Sequence, residues 1–136
     1  MMAPTIAWLG LGNMGMGMAS NLAKKGIIKC SFIVYNRTVS RARQFQALNP
    51  NTVVAESAAE AAAKADIIFT CLGDDTAVSE IIDLIITSTT IKGKLFVDCS
   101  TIHPDTTTAI ANKFQDAGAE FVTSLIHLLW NTYVFN

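Results

Sequence analysis

A chain of 136 residues with 51% hydrophobic and 15% charged residues reads as one globular domain with a real core, which excludes a disordered segment. Its net charge of −1, without a basic run or an acidic tail, argues against nucleic acid or a membrane surface as a charge-driven partner. Cys30, Cys71 and Cys99 are scattered without a C-x-x-C pair, as expected of reduced intracellular thiols. The opening Met1–Thr5 has no basic n-region, no long apolar segment follows, and no transit peptide is seen, so a cytoplasmic location is expected.

The first predicted strand, Pro4–Leu9, ends at Gly10-Leu-Gly-Asn-Met-Gly15, with glycines spaced G-x-G-x-x-G. A helix from Asn13 to Lys25 follows, with Met14, Met18 and Leu22 every four residues and Gly26 as its stop. Strand, glycine turn and helix in that order form the phosphate cradle of a dinucleotide-binding unit. Gly10 permits the tight turn, Gly12 leaves room for a pyrophosphate, and Gly15 lets helix and strand pack closely. The helix N-terminus then presents unpaired N–H groups to the anion.

Cys30–Tyr35 is short, aromatic and β-branched, hence a second strand. Asn36-Arg37-Thr38 follows, then a helix carrying Val39, Ala42, Phe45 and Leu48 at helical spacing up to Asn49-Pro50. Val53–Ala55 reads as a third strand. Ser57-Ala-Ala-Glu60 fits a capping box opening an alanine-rich helix that ends near Lys64. Asp66–Cys71 is a fourth strand, apolar enough to be buried on both faces. Gly73-Asp-Asp75 opens a helix with Val78, Ile81, Ile82 and Ile85 as its stripe. Leu95–Asp98 is a fifth strand, Pro104 starts a helix that ends around Gly118, and Glu120 begins a sixth strand. The alternation predicts an α/β, doubly wound parallel sheet of Rossmann-like form. Its ligand site should lie at the strand ends Gly10–Gly15, Asn36–Thr38, Cys71–Asp75 and Asp98–Thr101.

The NAD pattern places an acid at the end of the second strand to grip the ribose 2′-OH. Asn36 stands there instead, and Arg37 follows. An arginine fork binds a 2′-phosphate, so NADP(H) is expected over NAD(H).

The runs Gly10–Leu22, Tyr35–Thr38 and Asp98-Cys-Ser-Thr-Ile-His-Pro104 resemble the β-hydroxyacid dehydrogenases, the group of 3-hydroxyisobutyrate dehydrogenase and 6-phosphogluconate dehydrogenase. The resemblance covers about residues 4–122 and implies an NADP-binding domain over 1–122. It implies that Gly10, Leu11, Gly12, Asn13, Met14 and Gly15 hold the pyrophosphate and neighbouring ribose. It puts Asn36, Arg37 and Thr38 on the 2′-phosphate and Leu72 near the nicotinamide ribose, with Gly73 where the family usually has proline. Ser100 would contact the substrate carboxylate region and Thr101 the nicotinamide end. The substrate class so implied is a small hydroxy acid or semialdehyde.

The resemblance stops after Val122. Residues 123–136 form an atypical apolar tail, with no counterpart of the family's catalytic lysine, its helical second domain or its subunit interface. The second domain is therefore expected to be missing, through truncation or mis-splicing, and the chain catalytically incomplete. The alternative is a non-catalytic nucleotide-binding or interaction module. The tail's Leu125, Ile126, Leu128, Leu129, Trp130, Tyr133 and Phe135 would make an exposed apolar patch, and His127 within it is assigned no role.

Elsewhere the plain readings prevail. His103 is expected to start a helix rather than act as a base, and Cys71 and Cys99 to be buried thiols. Asp74 and Asp75 are expected to be helix caps, and Met14, Met16 and Met18 helix packing. No cluster has metal-ligand spacing.

Overall fold

The computed structural model describes residues 3–24 and 31–123. Six parallel strands, β1 (Ile6–Leu9), β2 (Phe32–Tyr35), β3 (Thr52–Val54), β4 (Ile67–Thr70), β5 (Leu95–Asp98) and β6 (Glu120–Thr123), lie in the order β3-β2-β1-β4-β5-β6. Between them run α1 (Asn13–Lys24), α2 (Val39–Leu48), α3 (Ala58–Lys64), α4 (Asp75–Ser88) and α5 (Pro104–Asp116). This is the doubly wound Rossmann-like sheet expected from the alternation of elements. The chain winds outward from β1 to β3, then crosses back to place β4 on the other side of β1. The carboxyl ends of β1 and β4 therefore flank the crevice where the winding reverses, the place such sheets bind ligands.

The sheet is covered on both sides. Ile6 and Trp8 of β1, with Phe32 and Val34, pack against Met18 and Ala19 of α1 and Ala42 and Phe45 of α2. Ala7 and Leu9, with Ile33, Ile68 and Phe96, pack against the α3 alanines, Val78, Ile82 and Ile85 of α4, and Ile110 and Phe114 of α5. All four residues of β1 are buried, which is why that strand carries no polar side chain. Phe114 stacks on Phe96 at 4.3 Å and on Phe121 at 5.1 Å, pinning α5 to β5 and β6. Each such pair is worth about 0.5–1.5 kcal/mol beyond the area it buries.

Side chains close both ends of α3. The Ser57 side chain accepts from Glu60 N at 3.0 Å, and the Glu60 carboxylate reaches back to Glu56 N at 2.8 Å, one residue before the expected partner. Lys94 Nζ donates to the carbonyls of Ala62, Ala63 and Ala65 at 2.6–2.9 Å, closing the carboxyl end of α3.

Several expectations need correction. The first strand starts at Ile6 rather than Pro4, since Pro4 has no N–H and the Thr5 N–H donates to the Asp66 carboxylate at 2.9 Å. β4 loses Asp66 and Cys71 from its predicted span, and its burial alternates, with Ile67 and Phe69 only half-buried. Val39 and Leu48, the first and last residues of α2, are 57% and 66% exposed despite their spacing, and only Ala42 and Phe45 are buried. Met14 is 45% exposed rather than packed; Met18 alone of the three helix methionines is fully buried. Gly26, Cys30 and the tail from Ser124 on, His127 included, lie outside the described residues. Among the described residues no helix is long and apolar enough to cross a membrane.

Candidate functional site

The turn after β1 is built from backbone. Gly10 has φ +107°, a left-handed conformation that disfavours any side chain, and a Cβ there would run into the Cys71 carbonyl. A Cβ on Gly15 would collide with the Gly10 carbonyl, whose oxygen accepts from the Trp8 indole N–H at 2.9 Å. Gly12 differs: nothing lies within 4 Å of a Cβ placed there. Two glycines are thus demanded by packing, while the third faces open space at the N-terminus of α1, where unpaired N–H groups favour an anion. That geometry fits a dinucleotide pyrophosphate.

Two side chains brace the turn from β2 and α2. Asn36 Oδ1 accepts from Leu11 N at 2.8 Å, and its Nδ2 donates to Thr38 O at 3.0 Å. Both ends of the Asn36 carboxamide are therefore engaged within the protein. Arg41 Nε donates to Leu11 O at 2.9 Å, and its Nη2 to Asn13 Oδ1 at 3.2 Å. Sequence reasoning missed Arg41. The available signal was its position in the first turn of a helix starting just after Thr38, which directs a long side chain back to the strand ends.

Arg37 and Thr38 are exposed at the end of β2. Arg37 lines a cleft of about 320 Å³ together with Gly10, Tyr35, Asn36 and Leu72. One face of α4 also lines it: Ala77, Glu80, Ile81 and Leu84. The cleft joins the glycine turn to the Asn36–Thr38 strand end, so the structure brings together two of the predicted segments.

The ends of β4 and β5 form a second cluster. Thr70 and Asp98 are register partners, and the Thr70 hydroxyl donates to Asp98 Oδ1 at 2.8 Å. The same oxygen accepts from Ser100 N at 3.1 Å, and Ser100 Oγ accepts from Leu72 N at 2.8 Å. Asp98 is 2% exposed, and its Oδ2 has no partner among the described residues. Ser100 is half-buried, while Thr101 and Gly73 are exposed beside it.

Asp74 caps α4 by accepting from Ala77 N at 2.8 Å, as expected. Asp75 is not a second cap: its Oδ2 accepts from His103 N at 3.0 Å and from the Thr106 hydroxyl at 2.6 Å. The Thr106 hydroxyl and the His103 N–H hold its carboxyl below the usual range. His103 starts α5 as expected, its Nδ1 accepting from Asp105 N at 3.1 Å. Cys99 is fully buried and Cys71 half-buried; burial pushes their thiols from 9.0 up to about 12 and about 11. Such thiols are poor nucleophiles at neutral pH. Among the described residues no cluster of three or more His, Cys, Asp or Glu could hold a metal ion.

This arrangement has counterparts. The family described as the NAD binding domain of 6-phosphogluconate dehydrogenase matches residues 5–124. The chain belongs to that family. It is 40% identical over 109 residues to the NADH-dependent oxidoreductase ucdB of Aspergillus ustus, covering 80% of this chain and 38% of that protein. It is 33% identical over 122 residues to the human cytokine-like nuclear factor N-PAC, covering 86% of this chain and 21% of that one. Among solved structures, Mycobacterium tuberculosis 3-hydroxyisobutyrate dehydrogenase with L-serine superposes with a TM-score of 0.79 at 29% identity. That likeness covers 90% of this chain and 40% of the other. The chain thus spans two fifths or less of these relatives. It has the NAD-binding domain of hydroxyacid dehydrogenase-like oxidoreductases.

Proposed function

We propose that this chain binds NADP(H) in preference to NAD(H), as the cofactor domain of a β-hydroxyacid dehydrogenase-like oxidoreductase. The observation that carries the preference is Arg37: exposed at the end of β2 and lining the cleft beside the glycine turn, with no acid at that strand end. Gly10–Gly15 would hold the pyrophosphate, with Arg41 a fixed cation beside it, and Arg37 with Thr38 the 2′-phosphate. Leu72 and Gly73 would flank the nicotinamide ribose. Ser100, set by the Asp98 network, would face the substrate, and Thr101 beside it the nicotinamide. The cofactor supplies a hydride; the substrate would be a small hydroxy acid or semialdehyde. No residue of this chain is assigned the proton transfer. A cytoplasmic location goes with this reading.

The test is titration of NADPH and NADH against the wild type and Arg37→Ala. A charge-assisted contact worth ~1.5–3 kcal/mol corresponds to roughly a 10- to 100-fold loss of NADPH affinity in the variant, with NADH little changed. An unchanged ratio would remove Arg37 as the discriminator.

A second reading is a non-catalytic nucleotide-binding module, favoured by likeness to a protein named as a nuclear factor. NADPH oxidation with glyoxylate or short semialdehydes separates the two. Tight binding without turnover supports the module for this polypeptide; turnover sinks it.

A further inference from the structure

The acid missing from the end of β2 has a counterpart elsewhere in the same cleft. Residues 77, 80, 81 and 84 share one face of α4, with Val78, Ile82 and Ile85 turned to the core. That face lines the same cleft as Arg37. The cleft is lined by nine residues, of which Arg37 and Glu80 alone are charged at neutral pH. The other acids of the α4 region are engaged: Asp74 on Ala77 N, Asp75 on His103 N and the Thr106 hydroxyl, and Asp83 on Lys113 Nζ at 2.6 Å. Glu80 makes no ion pair among the described residues, with Arg37 or any other. Its carboxylate is exposed at the rim of a cleft small enough that a ligand filling it lies within a Debye length of about 8–10 Å.

We infer that Glu80 is a second determinant of cofactor choice that opposes Arg37. This rests on the reading that the cleft receives the adenosine end of the dinucleotide. A 2′-phosphate held by Arg37 carries close to two negative charges and shares the cleft with a third. NADH, with a neutral 2′-hydroxyl there, escapes that repulsion. Arg37 thus sets the direction of the preference and Glu80 reduces its size.

The experiment is titration of NADPH and NADH against wild type, Glu80→Gln and Arg37→Ala at low and high salt. Thermal melts check that Glu80→Gln, an exposed helix position, leaves the fold unchanged. Glu80→Gln should tighten NADPH by about 3- to 10-fold at low salt and NADH by less than about twofold. The gain should shrink at about 0.5 M salt, since solvent-exposed charges are screened. An unchanged NADPH affinity overturns the inference. So does equal weakening of both dinucleotides, which would make Glu80 a contact to the shared adenosine. In both cases the wild type still binds, and the binding reading stands. If the wild type binds neither dinucleotide, that reading fails and takes this inference with it.

Discussion

The two halves of the site are held by different means. Around β1 the geometry belongs to the backbone: Gly10 in a left-handed turn, Gly15 against the Gly10 carbonyl, and Gly12 open at the start of α1. Around β4 and β5 it belongs to side chains: Thr70 and Ser100 on Asp98, Leu72 on Ser100, and His103 and Thr106 on Asp75. A backbone device tolerates no added atom where it is packed, but needs few particular partners. A side-chain network tolerates changes of bulk, but fails when one member is removed. The difference predicts which substitutions unfold the domain and which only empty it.

The largest effect is expected at Gly10. Alanine there combines a positive φ with a Cβ driven into the Cys71 carbonyl, at a cost of about 3–5 kcal/mol, a large part of a typical domain's stability. Denaturant unfolding of Gly10→Ala checks it, and a stability close to wild type would show that the turn relaxes at little cost. Next comes Asp98→Ala, which leaves the Thr70 hydroxyl and Ser100 N–H without their acceptor in a buried setting, for about 2–3 kcal/mol. Asp98→Asn keeps an acceptor oxygen and should lose about half as much. Equal losses for the two variants would make Asp98 a matter of charge rather than of hydrogen bonding.

Gly12→Ala should change stability by less than about 1 kcal/mol, since its Cβ meets nothing and its φ is not positive. Yet it should weaken NADPH binding by roughly tenfold or more, because the added methyl occupies the approach to the N-terminus of α1. Gly10 and Gly12 are two residues apart, and this contrast is the sharpest test of the claim that packing and binding divide the glycines between them. A Gly12→Ala variant that unfolds, or that binds NADPH normally, breaks it.

What the sequence made legible follows the same division. The G-x-G-x-x-G turn, the alternation of strands with helices, and the Ser57 and His103 helix starts are local patterns, and the structure has each of them in the order read, with strand bounds moved by one or two residues. The side-chain network was not legible, because its members meet only across the sheet: Thr70 reaches Asp98 through the β4–β5 register, and Asp75 reaches Thr106 across two helix starts. Asn36 was read correctly as a non-acid, but its use as a brace on Leu11 depends on β1 and β2 lying side by side. Glu80 escaped notice for the same reason. It lies far along the chain from Arg37, on a helix whose pattern shows only which face is buried. The exposed Met14, Val39 and Leu48, all within the end turns of their helices, mark a limit of periodicity: helical spacing identifies a face, but it does not say how far along the helix that face is covered.

At neutral pH the smallest effect lies with the two thiols. Burial raises Cys71 to about 11 and Cys99 to about 12, from 9.0. In the unfolded chain both ionise from about pH 9, while the folded chain holds their protons until pH 11–12. Between those limits the folded state binds more protons than the unfolded one, so stability falls as pH rises and is complete only below pH 9. The wild type should lose about 3 kcal/mol more between pH 8.5 and 10.5 than a Cys71→Ala/Cys99→Ala variant. Subtraction against that variant removes what the two proteins share, the lowered Lys94 amine included. At neutral pH both thiols should react slowly with an alkylating reagent until denaturant is added. Fast labelling of Cys71 in the folded protein would show that the end of β4 opens, and that the side-chain half of the site is looser than the backbone half.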